Sequence, residues 1–253
     1  MISKINQALL QWKDGAVHTQ VYFDRLGLDF RRVHEYKKKG LLRALGGGGY
    51  LRSNDAFNWI AAVSALQNER KLPVHISGLT ALNLQGVRVN LPMGSGAPVY
   101  LMSSKTVHLP VWITRHNWGV RFVLKRSNLL DGRGIIHFDQ EQYPIQISCR
   151  ERAILELIDQ LDLQHSFETL ENYMESSRTL RSEVLQKLLE QCRSIKVKRV
   201  FLYVSEKLDL PFFQKLDIEK INLGKGKRVV TRDGQLDLKY GITVPKELKE
   251  NPF

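Results

Sequence analysis

The segment from Asp29 to Lys39 carries two neighbouring arginines, Arg31 and Arg32, then His34 and three lysines at its end. A guanidinium group can bond the O6 and N7 atoms of a guanine together, so arginine often reads base edges in the major groove of DNA. Lysines close by suit the phosphates, which attract cations whatever the sequence. These residue types predict a DNA-binding surface with Arg31 and Arg32 as base readers.

The residues around this segment predict the helix that would hold it. Asp29 can cap a helix over residues 30–39, because a carboxylate at that position accepts a hydrogen bond from a free backbone N–H of the first turn. Gly40 follows as a residue typical of a helix end. Leu28 and Val33 stand where two apolar side chains fix the entry of the chain into a helix. We therefore expect the charged side chains to lie off the buried stripe.

Two helices precede this one and a hairpin follows it. We predict helices near residues 2–12 and 19–26, and strands at 41–45 and 50–52 that are joined by Gly46–Gly49. A glycine-rich loop can also cradle phosphate, but the Lys-Ser/Thr that completes a P-loop is missing. Three helices and a hairpin form a winged helix-turn-helix, a motif that places its recognition helix in the major groove.

Positive charge is concentrated in this N-terminal part. Residues 1–53 contain ten Lys and Arg against four Asp and Glu, a net charge of +6 out of +12, whereas residues 151–253 contain eighteen against seventeen, a net charge of +1. This asymmetry is typical of a nucleic-acid-binding module, although any amphipathic helix exposes a charged face. The predicted DNA-binding residues are Arg31, Arg32, His34, Lys38, Lys39, Arg43 and Arg52, the last four on phosphates.

The overall composition excludes several classes of protein. The chain has 253 residues, 43% hydrophobic and 25% charged, which is typical of globular domains. Its longest apolar stretch is too short to span a bilayer and its start lacks a secretory signal, so we expect a cytoplasmic protein without a membrane partner. Only Cys149 and Cys192 are present, which argues against a disulfide framework or a cysteine zinc site.

Signatures of enzymes are weak. The seven histidines form neither H-E-x-x-H nor a pair at metal-binding spacing, and Gly94-Ser-Gly96 lacks the earlier glycine of a nucleophile elbow. The triplets Asp237-Leu-Lys239 and Glu247-Leu-Lys249 are the only hints of a nuclease, and such triplets arise by chance in a lysine-rich chain. We predict no catalytic activity, no metal and no cofactor.

The rest of the chain predicts a mixed α/β domain. Strands are expected at 99–103, 111–115, 120–125, 135–138 and 145–147. Helices are expected at 55–67, 77–84, 167–176 and 182–193, and a further helix should follow a capping box at Ser148–Glu151. A mixed segment is expected at 197–208. The predicted domains are 1–70, the winged helix-turn-helix, and 71–253, an α/β C-terminal domain.

Two basic segments of the C-terminal part admit more than one interpretation. Gly224-Lys-Gly-Lys-Arg228 could be a backbone nest surrounded by cations, suited to a phosphate or an acidic partner. A basic surface turn is the favoured interpretation, because the spacing matches no phosphate-binding fingerprint. For Lys196–Arg199 we likewise expect a solvated helix end or strand edge.

Several motifs in this order resemble those of the AbiEi family of antitoxins, which belong to bacterial abortive-infection, type IV toxin–antitoxin systems. Besides the winged helix, they are Ile76-Ser-Gly-Leu-Thr-Ala-Leu82, Ser148-Cys-Arg-Glu-Arg-Ala-Ile-Leu-Glu-Leu157, Ile221-Asn-Leu-Gly-Lys-Gly-Lys-Arg228 and Tyr240-Gly-Ile-Thr-Val-Pro245. The resemblance covers nearly the whole chain. This chain departs from the family in having four consecutive glycines at the wing tip.

The resemblance implies an autorepressor that binds inverted repeats in its own promoter and helps to neutralise a nucleotidyltransferase-like toxin. Lys225, Lys227 and Arg228 are the candidate partner-binding residues. The chain is not such a toxin, because no paired carboxylates follow Gly94-Ser95 at the spacing that a nucleotidyltransferase needs. Two alternatives remain: a nucleic-acid-processing enzyme targeted by a winged helix, and a transcription regulator that responds to a ligand.

Overall fold

A computed structural model describes residues 4–87, 96–140 and 142–246. The chain forms two compact units that alternate along the sequence. Residues 1–76, 93–126 and 137–147 form the first, and residues 77–92, 127–136 and 148–253 form the second. Helices and several sheets make up the protein, so the predicted mixed α/β class is confirmed.

The described helices are α1 (Lys4–Leu10), α2 (Gln20–Arg25), α3 (Phe30–Lys38), α4 (Trp59–Asn68), α5 (Gly78–Leu84), α6 (Val111–Thr114), α7 (Arg150–Gln160), α8 (Phe167–Glu175), α9 (Ser182–Gln191) and α10 (Ile195–Lys207). The described strands are β1 (Val17–Thr19), β2 (Leu42–Gly46), β3 (Gly49–Arg52), β4 (His75–Ile76), β5 (Ala97–Ser103), β6 (Val120–Arg126), β7 (Ile135–Gln140), β8 (Tyr143–Ser148), β9 (Arg228–Val229), β10 (Gln235–Asp237) and β11 (Ile242–Val244). No helix in the described ranges is long and apolar enough to cross a lipid bilayer.

The first unit begins with a winged helix. Helices α1, α2 and α3 precede the hairpin of β2 and β3, as predicted, and β1 adds a third strand in the order β1-β3-β2. Phe23, Leu28, Val33 and Leu51 are fully buried and fill its core. Leu10 is 78% exposed, because the buried face of α1, which carries Ile5 and Ala8, points away from it.

A five-stranded sheet follows in the order β6-β5-β4-β8-β7.

The prediction of a strand at residues 111–115 is wrong, since Val111–Thr114 forms helix α6. Pro110 precedes this helix, and Trp112 and Ile113 are buried on it. β-Branched residues favour strands only weakly, so burial of this short turn overrides the local preference.

The second unit packs α5, α8, α9 and α10 around α7. The capping box predicted at Ser148–Glu151 is wrong: Cys149 is the N-cap and its side chain makes no capping bond. Ser148 Oγ instead donates to Glu156 Oε2 at 2.6 Å, and Glu151 accepts from Arg181. The segment 197–208, predicted to be mixed, is helical up to Lys207 within α10, and Leu208 is its C-cap. A small sheet in the order β10-β11-β9 lies near the end of the chain.

Candidate functional site

Helix α3 is built to present one face to solvent. Its N-cap is Asp29, whose Oδ1 accepts from the backbone N–H of Arg32 at 2.9 Å, as predicted. Val33 is fully buried and fixes the inner face. Lys37 and Lys38 lie in the last turn, where the helix dipole favours cations. The cap and the buried valine together fix which side chains point outward.

The outward face of α3 and its C-terminal end carry five of the predicted DNA-binding residues, Arg31, Arg32, His34, Lys38 and Lys39, and all five are exposed. Within the described part of the chain, none of these side chains forms a hydrogen bond or ion pair. Phe30, the first residue of the helix, is 64% exposed. The face therefore combines unpaired cations with one aromatic ring.

The other two predicted DNA contacts already have partners. Arg52 donates from Nε to Asp55 Oδ1 at 2.8 Å and also pairs with Asp14. These hydrogen bonds raise the pKa of Arg52 above its usual value. Arg43 donates to the Asp55 carbonyl at 2.7 Å, and its guanidinium lies 4.7 Å from the centre of the Phe57 ring. Both arginines therefore brace the hairpin.

Three glycines of the wing hairpin are needed for different structural reasons. Gly47 and Gly48 have φ of +55° and +81°, and positive φ at both central residues is what a type I′ hairpin turn requires. A Cβ on Gly49 would lie 2.7 Å from the Trp112 ring on α6. His116 Nε2 lies 2.6 Å from the Leu45 carbonyl oxygen. The wing thus packs against residues 111–116 of its own unit.

A half-buried carboxylate that the sequence analysis missed fixes the start of α2. Glu69 Oε2 accepts from the backbone N–H of Thr19 at 2.6 Å, and its Oε1 lies 2.6 Å from His18 Nδ1. The His18 ring stacks on Tyr22 with 3.7 Å between centroids. Burial, and then the charge of Glu69, raise the pKa of Tyr22. Glu69 follows an apolar helix and lies 50 residues after Thr19, so no local sequence pattern predicts this contact.

The Gly224–Arg228 loop of the second unit is organised around Arg199, at the start of α10. Arg199 Nε donates to the carbonyl of Leu223 at 2.8 Å, and Nη2 to that of Gly224 at 3.1 Å. Its Nη1 donates to the carbonyls of Gly226 at 2.6 Å and Gly241 at 3.2 Å. One guanidinium therefore joins the basic loop to the start of β11.

This arrangement corrects the prediction for Lys196–Arg199. That segment was expected to be solvated, but Lys198 is 3% and Arg199 5% exposed. Burial lowers the pKa of both side chains. A buried cation is tolerated when hydrogen bonds replace its water, and four carbonyls do so for Arg199. Charge alone could not reveal those carbonyls, which lie 24 to 42 residues further along the chain.

The predicted partner-binding residues Lys225, Lys227 and Arg228 are exposed on the same loop. Arg228 Nη1 donates only to the adjacent Lys227 carbonyl, at 3.0 Å, among the described contacts. A shallow pocket of about 260 Å³ lies beside them, lined by Arg199, Tyr240 and the 84% exposed Leu238. Burial and the hydrogen bond to Glu206 raise the pKa of Tyr240. The loop offers cations to solvent next to a pocket that the exposed Leu238 lines.

Groups suited to catalysis are not gathered in the described ranges. No three His, Cys, Asp or Glu side chains there could hold a metal ion together. Burial raises the pKa of the Cys149 and Cys192 thiols to about 11, so neither is a ready nucleophile. Gly94-Ser95 and Glu247-Leu-Lys249 lie outside the described residues.

Comparison with known proteins matches both parts of the chain. Residues 1–93 match the family described as "Transcriptional regulator, AbiEi antitoxin N-terminal domain", and residues 97–245 match "Transcriptional regulator, AbiEi antitoxin, Type IV TA system". A comparison with curated proteins gives no match.

One similar solved structure is that of the RV2827C protein from Mycobacterium tuberculosis. The sequences are 13% identical, the TM-score is 0.63, and the match covers 95% of this chain and 90% of that one. At this identity the likeness is one of fold alone. The two sequence matches together extend over nearly all of the chain, which therefore belongs to the AbiEi family of transcriptional regulators, the antitoxins of type IV toxin–antitoxin systems.

Proposed function

We propose that this antitoxin binds inverted repeats in its own promoter through α3 and represses transcription there. The observation that carries the proposal is the α3 face, where Arg31, Arg32 and Lys38 are exposed and unpaired among the described residues. An exposed cation can bind a base edge or a phosphate without first losing an intramolecular partner. Such a regulator works in the cytoplasm, where its promoter is, and needs no cofactor or catalytic step.

We assign different tasks to the seven predicted DNA-binding residues. Arg31 and Arg32 read bases, His34 lies beside them, and Lys38 and Lys39 contact phosphates. For Arg43 and Arg52, a phosphate would have to replace the oxygen atoms of Asp55 and Asp14 that their guanidinium groups now contact. We therefore expect these two arginines to contribute less to affinity than the α3 cations.

Binding titrations on promoter and scrambled duplexes at two salt concentrations test this assignment. Arg31→Ala or Arg32→Ala should cost about 1–3 kcal/mol on the promoter and relax sequence preference. Lys38→Ala should weaken binding to both duplexes equally and reduce the salt slope by about one unit. Equal losses on both duplexes for all three variants would show that none of these residues reads bases.

We further propose that the second unit neutralises a nucleotidyltransferase-like toxin, with Lys225, Lys227 and Arg228 as contacts to an acidic surface. The exposure of these cations on a loop held by Arg199 supports the assignment of toxin neutralisation to the second unit and of DNA binding to α3. In full-length protein, changing Arg31 and Arg32 to Ala should abolish repression but leave rescue from the toxin intact. Loss of both activities in that variant, without loss of folding, would contradict the division.

A further inference from the structure

One exposed apolar side chain interrupts the charged face of α3. Phe30 is the first residue of the helix and is 64% exposed, whereas the core beneath is filled by Leu28 and Val33, both fully buried. The Phe30 ring therefore adds little to the stability of the fold. Its only described ring partner is His34, 6.2 Å away between centroids with the ring planes 21° apart.

The position of Phe30 puts it among the groups that would approach bases. Residues at the N-terminal end of a recognition helix contact base edges in the major groove. Phe30 and His34 are four residues apart and so lie on one side of the helix, and Arg31, three residues before His34, borders that side. A guanine bound by Arg31 or Arg32 would have its neighbouring base pairs within reach of the Phe30 ring.

The base edges of the major groove present hydrogen-bonding groups and one apolar group, the 5-methyl of thymine. An exposed aromatic ring can contact this methyl group but cannot accept or donate as the other base-edge atoms require. We propose that Phe30 reads a thymine methyl next to a guanine recognised by Arg31 or Arg32. This inference rests on the proposed DNA binding by α3 and adds a specific base to its target.

Replacement of thymine by deoxyuridine removes only the methyl group and keeps base pairing intact, so it tests the contact directly. Each thymine of one half-site in the promoter duplex is replaced in turn, and the affinity of the full-length protein is measured. We expect one position to weaken binding about fourfold, the value of one buried methyl group. Phe30→Ala should weaken binding to the normal duplex, and the affinity of this variant should not change further when deoxyuridine replaces thymine at that position.

Two variants serve as controls. Leu10→Ala removes another exposed apolar side chain, on α1, and should keep the deoxyuridine effect. Phe30→Leu retains an apolar contact and should restore part of the discrimination. Because Phe30 is mostly exposed, Phe30→Ala should melt within a few degrees of the wild-type protein, and this shows that a change in affinity is not caused by unfolding.

The outcomes separate this inference from the function on which it rests. A wild-type protein that binds promoter and scrambled duplexes alike would refute sequence-specific DNA binding itself. If the wild-type protein prefers the promoter but no deoxyuridine replacement weakens its binding, the thymine contact is refuted and the proposed function stands. The same conclusion holds if Phe30→Ala remains as sensitive as the wild-type protein at the critical position.

Discussion

The two basic regions of the molecule, α3 with the wing and α10 with the Gly224–Arg228 loop, use positive charge in opposite ways. In the first, a cap, a buried valine and the Gly49–Trp112 contact set the geometry, and the cations of α3 are left free in the described structure. In the second, the buried cation Arg199 itself sets the geometry by collecting carbonyls. A run of Lys and Arg therefore leaves cations free for binding only when other residues hold the local fold in place.

The largest effect should come from removing the cation that organises the second region. Arg199→Met fills much of the same space but leaves the carbonyls of Leu223, Gly224, Gly226 and Gly241 without this donor. We expect the free energy of unfolding to fall by about 3 kcal/mol or more, because four carbonyls lose hydrogen bonds to a charged donor. Urea denaturation of the full-length protein measures the loss.

A matched control lies on the same loop. Arg228 is also an arginine but is exposed, so Arg228→Met should change stability by no more than about 0.5 kcal/mol. Equal costs for Arg199→Met and Arg228→Met would remove the distinction between organising and free cations in this region.

The next largest effect tests packing as the organiser of the first region. A Cβ on Gly49 would lie 2.7 Å from the Trp112 ring, so Gly49→Ala forces the tryptophan or the strand to move. We expect a cost of about 2 kcal/mol from overpacking, measured by thermal or urea unfolding. Gly48→Ala is the control: no atom lies within 4 Å, and only its φ of +81° is unfavourable, for about 1 kcal/mol. If Gly49→Ala proves the milder change, the wing does not depend on Trp112.

An acid titration should give a smaller effect in the second unit. Burial alone would raise the pKa of Glu151, but the hydrogen bonds from Arg181 outweigh it and lower that pKa to about 2. A carboxyl whose pKa is lowered on folding stabilises the protein above its unfolded pKa, and this contribution is lost as pH falls through the folded value. The wild-type advantage over Glu151→Gln should therefore shrink between pH 5 and pH 2.5.

We expect that advantage to be about 1 kcal/mol at pH 6, because the Arg181 side chain is 65% exposed and water screens the pair. Thermal melts of both proteins across this pH range measure it. A constant difference between them would mean that Glu151 stabilises the fold by packing and not by its charge.

Sequence patterns predicted what depends on near neighbours and missed what depends on distant ones. The Asp29 cap, the α3 bounds to within a residue and the glycine hairpin all follow from residues close together in the chain. Strand β1 was missed because it needs β3, 30 or more residues later, as its partner. The α6 helix and the burial of Arg199 likewise depend on contacts with distant residues, Gly49 and the Gly224–Arg228 loop.

The smallest expected effect on stability concerns the cations left free on the Gly224–Arg228 loop. Replacing Lys225, Lys227 and Arg228 by Gln should keep the free energy of unfolding within about 0.5 kcal/mol of wild type, since the three side chains are exposed and the loop is held by Arg199. If these cations contact an acidic surface of the toxin, rescue of toxin-expressing cells should fall in part. Gly224→Ala, which brings a Cβ 3.1 Å from Ile195 at a φ of +62°, should instead cost stability. A triple variant with full rescue would show that these cations do not contact the toxin and that the loop has only a structural role. A triple variant that unfolds would show that these cations, like Arg199, stabilise the fold.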